Sequence, residues 1–181
     1  MKYLKNLGIE DLVIGIESGY DPALSFVNKG YTAEDILTGC KKLEEAGVDY
    51  RLIYLGGIAG SGNGEKAAHA TAEILNQLHP YYLFMSTVAI LPGTKLHQQI
   101  EDGEFEEESE KERIEEFRTL LSELNNPIVV DSRSVANAIP FVAELPRDKE
   151  KVVGALDDLI ARLDGRAAQQ MHDHRARLMS V

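Results

Sequence analysis

The amino-acid sequence predicts an α/β fold, a partial TIM-like (βα) barrel with parallel strands and helices on the outside. Three apolar strands, at 11–19, 48–55 and 81–90, alternate with amphipathic helices at 32–46 and 65–79. Strands and helices that alternate at these lengths are typical of consecutive right-handed βαβ units. Each of the three strands ends in small or polar residues, as expected where strand ends converge on the mouth of a barrel.

The first strand has the pattern of a parallel strand covered on both faces, because both of its alternating faces are apolar until Glu17. Gly15 lies on the same face as Glu17 and leaves room for something other than a side chain. Glu17 could cap a nearby helix or lie in water. Its position at the carboxyl end of the strand, beside two glycines, favours a functional role.

Two helix starts are marked by capping boxes, Thr32 with Asp35 and Ser109 with Glu112. Residues 1–181 are expected to form a single domain, with the βα units in 1–100 and a carboxyl-terminal helical extension in 101–181. That extension should contain a short strand at 128–131, an irregular segment at 134–146 and a long helical segment from Arg147 that Gly165 breaks or ends. The ten acidic residues of 101–116 favour a solvated helix face.

Composition excludes several classes of protein. A net charge of −11 argues against a general nucleic-acid or anionic-membrane binder, since neither polyanion would gain by counterion release. No run reaches the roughly 18 apolar residues of a membrane span, and no signal-type segment follows the first residues, so a cytoplasmic location is expected. The single cysteine, Cys40, rules out an internal disulfide and a multi-cysteine metal site built from this chain alone.

The common catalytic and nucleotide-binding motifs do not fit. Gly60 and Gly62 are followed by Glu65 where a dinucleotide fingerprint has its third glycine, and no Gly-Lys-Ser/Thr follows for a phosphate loop. Ser18 lies on no nucleophile-elbow motif. His172 and His174 are two residues apart and therefore not on one helical face, which disfavours a metal site there.

Several short segments, in order, carry a resemblance to a known family. The sequence resembles the carboxyl-terminal half of a radical S-adenosylmethionine protein, and in particular the bacterial iron–sulfur oxidoreductases related to oxygen-independent coproporphyrinogen III oxidase. The matching segments are Gly-Ile-Glu-Ser-Gly-Tyr-Asp at 15–21, Val-Asn-Lys-Gly-Tyr-Thr-Ala-Glu at 27–34, Glu-Ala-Gly at 45–47, His-Ala-Thr-Ala-Glu at 69–73, Leu-Pro-Gly-Thr-x-Leu at 91–96, Ser-Val-Ala-Asn at 134–137 and Glu-Leu-Pro-Arg-Asp-Lys at 144–149.

The resemblance implies a barrel that holds a [4Fe–4S] cluster and S-adenosylmethionine, whose reductive cleavage gives a 5′-deoxyadenosyl radical. It places Glu17, assisted by Ser18, at the adenosine ribose and Lys29 at the methionine carboxylate. An ammonium suits a carboxylate, and a carboxylate accepts hydrogen bonds from ribose hydroxyls. The implied cofactor-binding residues are Gly15, Glu17, Ser18, Lys29, Gly56, Gly57 and Ile90.

The three-cysteine motif of the family is absent, so no cluster and no activity are expected of the isolated chain. The alternative is a non-catalytic α/β binding or interaction module. An ordinary barrel enzyme that uses Glu17 as an acid or base would need a second catalytic residue, and the sequence offers no evident one.

The first strand should lack the neighbouring strand that it would have in a complete barrel, and residues 12–16 include no charged residue and no proline. We therefore expect a homodimer or another association through this exposed edge, with an unknown small-molecule substrate and neither nucleic acid nor membrane as partner.

Overall fold

A computed structural model describes residues 2–178 of the chain. The strands are β1 (Asp11–Glu17), β2 (Asp49–Gly56), β3 (Tyr82–Thr87), β4 (Ile128–Asp131) and β5 (Val142–Leu145). The helices are α1 (Lys2–Asn6), α2 (Asp21–Phe26), α3 (Ala33–Ala46), α4 (Gly64–Leu75), α5 (Lys95–Glu101), α6 (Glu110–Glu123), α7 (Lys149–Arg162) and α8 (Gly165–Ala176).

All five strands form one sheet in the order β1-β2-β3-β4-β5. The first four are parallel to one another, and β5 runs antiparallel to β4. The strands therefore follow one another across the sheet in chain order, as they do around a βα barrel. The predicted fold class, an α/β partial TIM-like barrel with helices on the outside, is confirmed.

One face of the sheet is covered by helices and forms the core. Alternate residues of β2 and β3 point toward them and are fully buried, among them Leu52, Tyr54 and Leu83. The stripes of α3, α4 and α6 pack against these side chains, with Leu43, Leu75 and Leu120 buried in the same cluster. Burial of this apolar area is the main favourable term for the fold.

The opposite face of the sheet is open in the part of the chain that the structure describes. Val13 of β1 and Val142 of β5 lie on this face and are 57% and 49% exposed. The prediction that β1 is covered on both faces is therefore wrong. Its apolar alternation matches a barrel interior, but the helices that pack on the core, such as α3, α4 and α6, lie on the other side of the sheet.

The helix starts were predicted well because their signals are local. Thr32 and Ser109 accept hydrogen bonds from the amides of Asp35 and Glu112, whose side chains accept in return, so both capping boxes are confirmed. Gly47 ends α3 in the left-handed conformation at φ 67°.

Other boundaries differ from the prediction. The segment at 134–146 was expected to be irregular, but it contains β5, which pairs with β4 over four residues. Helix α4 ends at Leu75 rather than at residue 79, and α5 was not predicted. The predicted break of the long segment at Gly165 is confirmed, since α7 ends at Arg162 and α8 begins at Gly165, where Asp164 accepts a hydrogen bond from the Ala167 amide. No helix among residues 2–178 is long and apolar enough to cross a membrane.

The acidic run at 101–116 is not simply a solvated face. Glu108, Glu110 and Glu116 are at most 7% exposed, and the same segment contributes the buried Arg113. Glu110 pairs with Arg175 of α8 at 2.5 Å, so the run brings the last helix onto the body of the protein. The sequence of the acidic run does not predict this ion pair, because the arginine that pairs with Glu110 is distant in the sequence.

Candidate functional site

The carboxyl end of β1 bends back on itself at Glu17. Glu17 adopts a left-handed conformation at φ 61°, which is unusual for a residue with a side chain. Its carboxylate folds over Gly15, where an added Cβ would lie 2.5 Å from Glu17 Oε1. The room that Gly15 leaves on this face is therefore taken by the carboxylate of Glu17.

Lys29 meets this carboxylate from the segment that follows α2. Lys29 Nζ donates to Glu17 Oε1 at 2.8 Å, and the two side chains are 30% and 17% exposed. Nζ also lies 5.8 Å from the centre of the Tyr31 ring, whose hydroxyl donates to the Gly15 carbonyl at 2.7 Å. Partial burial opposes the charge of Lys29, but hydrogen bonding and attraction to Glu17 outweigh it and raise its pKa.

Ser18 is turned away from the open face. It is fully buried, and its Oγ accepts a hydrogen bond from the Tyr20 amide at 3.1 Å. The neighbouring Gly19 amide donates to Thr71 Oγ1 of α4 at 2.8 Å. Ser18 thus shapes the turn after β1, and a contact with a ligand would require this turn to open.

Gly56 and Gly57 face helix α6 rather than the open side of the sheet. A Cβ on Gly56 would collide with the Phe117 ring. The Gly57 amide donates to Glu116 Oε2 at 2.7 Å, and Gly57 has φ 80°. Ile90, in the loop after β3, is half-buried. The structure therefore brings Gly15, Glu17 and Lys29 together. The Gly56–Gly57 turn instead packs against α6 on the helix-covered side of the sheet.

A buried group of charged residues supports that turn, and sequence reasoning missed it. Glu116 is fully buried and accepts hydrogen bonds from Tyr54 Oη at 2.6 Å and from the Gly57 amide. Burial raises the pKa of Glu116 to about 7. Arg113 Nη1 lies 3.4 Å from the Val88 carbonyl after β3. This group ties the ends of β2 and β3 to α6.

Glu108 is the most unfavourably placed member of the group. It is 2% exposed, packs against Gly64, and neither carboxyl oxygen has a hydrogen-bond partner among residues 2–178. Burial, and then repulsion from Glu116, raise the pKa of Glu108 to about 9. The carboxyl is therefore protonated at neutral pH. The sequence of the acidic run does not distinguish the buried Glu108 from the exposed glutamates beside it.

The described residues do not fit a [4Fe–4S] cluster. The thiol of Cys40 is buried in the core beneath α3, and burial raises its pKa to about 11, so a thiolate is disfavoured. No group of three or more histidine, cysteine or acidic side chains among residues 2–178 could hold a metal ion. A cluster would need ligands that this chain does not supply.

Comparisons with known proteins agree with the fold and go no further. No family model matches the chain, and no curated protein matches it. Among solved structures it is similar to the Elp3 protein of the archaeon Methanocaldococcus infernus that lacks its N-terminal residues 1–46. The TM-score is 0.63 at 18% identity over 87% of this chain and 38% of that one.

This likeness shows a shared α/β fold, and the resemblance to radical S-adenosylmethionine proteins that the sequence motifs suggest stays a prediction. The closer relation to coproporphyrinogen oxidases, suggested by the sequence motifs, receives no support from it and stays a prediction. The chain spans well under half the length of the Elp3 protein that it resembles.

Proposed function

We propose that this chain is the carboxyl-terminal part of a radical S-adenosylmethionine-type barrel, and that it contributes Glu17 and Lys29 to the binding of the adenosyl ligand. One observation carries the proposal. A carboxylate and an ammonium lie together, partly exposed, at the carboxyl end of β1 on the open face of the sheet. That end of a parallel strand is where βα barrels bind their ligands.

The two side chains have complementary tasks in this proposal. The Lys29 ammonium binds the carboxylate of the methionine moiety, and the Glu17 carboxylate accepts hydrogen bonds from the ribose hydroxyls. Without ligand they neutralise each other at 2.8 Å. Binding must therefore exchange one ion pair for another, and the net gain is small. We expect weak affinity from this chain alone.

In a complete enzyme of this type, S-adenosylmethionine supplies a 5′-deoxyadenosyl radical on reduction. The residues of this chain would bind and orient the ligand but would not perform that step, because the described side chains do not fit the iron–sulfur cluster that delivers the electron. The isolated chain is therefore proposed to be inactive. The buried Glu116 would not contact the ligand. It would position the turn after β2, because it accepts a hydrogen bond from the Gly57 amide.

Calorimetric titration with two ligands tests these roles separately. S-adenosylhomocysteine carries both the ribose and the carboxylate, whereas 5′-methylthioadenosine carries only the ribose. Lys29→Ala should weaken the first ligand severalfold and leave the second unchanged. The loss should be less than the roughly 1.5–3 kcal/mol of an unopposed charged hydrogen bond, because the ligand replaces the existing bond to Glu17. Glu17→Gln should weaken both ligands.

Lys66→Ala is the matched control, because Lys66 lies on α4 and is exposed and its ammonium contacts Asn63 rather than Glu17. It should change neither titration. Tight binding that is insensitive to Glu17 and Lys29 would show that the site lies elsewhere. No binding of either ligand would instead favour the alternative, a non-catalytic interaction module in which Glu17 and Lys29 only stabilise the end of β1.

A further inference from the structure

Two carboxyl groups are buried together beside the turn that follows β2. Glu108 is 2% exposed and Glu116 is fully buried. Glu108 comes from the segment before α6 and Glu116 from α6 itself, and the two lie within hydrogen-bonding reach of each other. Two ionised carboxylates in contact repel each other strongly in a buried site. At least one of the pair therefore carries a proton at neutral pH.

The other contacts of the pair decide which carboxyl carries the proton. Glu116 accepts hydrogen bonds at both oxygens, from Tyr54 Oη at 2.6 Å and from the Gly57 amide at 2.7 Å. Such donors stabilise the ionised form of a carboxyl. No N–H or O–H group among residues 2–178 donates to Glu108, so a hydrogen bond between the two carboxyls needs a proton on one of them. That proton belongs on Glu108, which then donates to the Glu116 carboxylate.

The charged groups around the pair favour one ionised carboxyl rather than two. Arg113 packs against Gly57 and attracts both carboxyls, but its guanidinium already pairs with Glu107 at 2.9 Å. In the part of the chain that the structure describes, the groups that face the pair are Tyr54 of β2, Gly64 and Thr71 of α4, Glu112 and Arg113 of α6 and, behind Arg113, Glu107, Glu110 and Arg175 of α8. Arg113 thus balances a single negative charge in the pair.

The turn after β2 depends on the ionised state of Glu116. An ionised oxygen accepts a shorter and stronger hydrogen bond than the oxygen of a neutral carboxyl. When Glu116 is protonated, one of its oxygens carries a hydrogen and accepts poorly from the Gly57 amide or the Tyr54 hydroxyl. Burial raises the pKa of Glu116 to about 7, so this change falls at neutral pH.

We propose that Glu108 donates a shared proton to Glu116 and thereby makes the turn after β2 a pH-sensitive switch, which is held to α6 when Glu116 is ionised and loosened when it is protonated. Glu108 is a positioning residue, because it acts on the turn only through Glu116. The effect of the switch on ligand binding rests on the proposed function, in which Glu116 positions this turn. The shared proton itself does not.

The switch moves in the opposite direction to the stability of the whole chain. The pKa values of Glu108 and Glu116 are both raised in the folded state, so the free energy of unfolding falls as the pH rises. The Gly57 hydrogen bond becomes stronger over the same range, because its acceptor becomes charged. A general loosening of the fold would weaken it instead. The two explanations therefore predict opposite changes at Gly57.

Infrared spectroscopy at pH 8 locates the proton. Ordinary carboxyl groups are ionised at this pH, so the C=O band of a protonated carboxyl should come from Glu108. Glu108→Leu and Glu108→Gln should each abolish the band. Glu115→Gln is the matched control and should keep it, because Glu115 lies on the exposed side of α6 and pairs with Lys111. A parent without the band, or a band that survives in Glu108→Leu, overturns the proposal.

The amide proton resonance of Gly57 reports the turn in the ligand-free chain. In the parent it should move downfield as the pH rises, with a midpoint near pH 7. Glu108→Gln should keep this midpoint, since the amide of glutamine can donate to Glu116 in place of the carboxyl. Glu108→Leu fills a similar volume without a donor, so the midpoint should rise by about one pH unit.

Two outcomes at Gly57 contradict the switch. A resonance that does not titrate, or an equal midpoint in the parent and in Glu108→Leu, overturns the proposal. Glu116→Gln should remove the titration step, because the glutamine side chain does not ionise. A step that persists in that variant would come from another group, such as a histidine, and would also overturn the proposal.

Calorimetry with 5′-methylthioadenosine separates the switch from the proposed function. In the parent the affinity should rise severalfold between pH 6 and pH 8, and in Glu108→Leu the rise should move to higher pH. Affinity that ignores the Gly57 step would overturn the effect of the switch on the ligand. If the ligand does not bind at all, the proposed function fails by its own titration, and the infrared band and the Gly57 resonance still decide whether Glu108 and Glu116 share the proton.

Discussion

The two faces of the sheet use alternate residues of the same strands, yet they differ in how they satisfy polar groups. On the helix-covered face, Glu116 and Tyr54 are fully buried and bonded to each other. On the open face, Glu17 and Lys29 remain partly in water and bond as a surface pair. Residue type alone does not separate these environments. The difference comes from which side of the sheet the helices cover.

The largest effect should come from matched leucines of β2 that point to opposite faces. Leu52 is fully buried under the helices, whereas Leu55 is half-buried on the open face. Leu52→Ala should lower the free energy of unfolding by about 3–5 kcal/mol, because it removes buried hydrocarbon and leaves a cavity. Leu55→Ala should cost about 1 kcal/mol, since water already contacts the side chain.

Urea denaturation followed by circular dichroism measures both values, at concentrations low enough to keep the chain monomeric. Equal losses in the two variants would contradict the comparison. They would mean that some part of the protein covers the open face in solution.

The next effect concerns pH and the helix-covered face. The pKa of Glu108 in the folded state is raised to about 9 from its ordinary 4.5, so the folded protein holds this proton more tightly than the unfolded chain. The stability it contributes is present below pH 4.5 and is lost as the pH rises toward 9. If the full shift applies, the parent should lose up to about 4 kcal/mol between pH 5 and pH 8.

Glu108→Gln keeps the neutral shape and should remove the part of the loss that Glu108 causes, so the variant should be the more stable protein at pH 8. The buried Glu116, whose pKa is also raised, should leave a smaller slope of the same sign. Glu45→Gln, at an exposed position of α3, should keep the slope of the parent. Thermal unfolding as a function of pH gives the comparison. An unchanged slope in Glu108→Gln would show that the Glu108 carboxyl is not the group that holds the proton.

Much of the fold could be predicted because its signals are local. The apolar runs of β1 to β3 and the hydrogen-bonding side chains at Thr32 and Ser109 determine strands and helix starts within a few residues. Strand β5 could not be predicted this way. It has only four residues, and its stability comes from pairing with β4 and from burial of Ala143 and Leu145.

The sequence placed Glu17 and Lys29 near the end of β1, but it did not predict the contact between them. The sequence indicated Glu17 and Lys29 for a ligand, and only the structure shows that they bind each other. The burial of Glu108 and Glu116 depends on how α6 packs against β2 and α4. A local sequence pattern does not predict that packing. Whether the open face is covered is likewise a property of the whole assembly of helices.

The smallest effect should come from the Glu17–Lys29 pair itself, which tests the open face. Lys29→Met and Glu17→Gln should each change the free energy of unfolding by less than about 1 kcal/mol, with a coupling energy of about 0.5 kcal/mol in a double-mutant cycle. Water reaches both side chains, so salt should reduce the coupling further. A coupling of several kcal/mol that resists salt would place the pair in a dry environment. The open face would then be closed in solution, and the contrast between the two faces of the sheet would disappear.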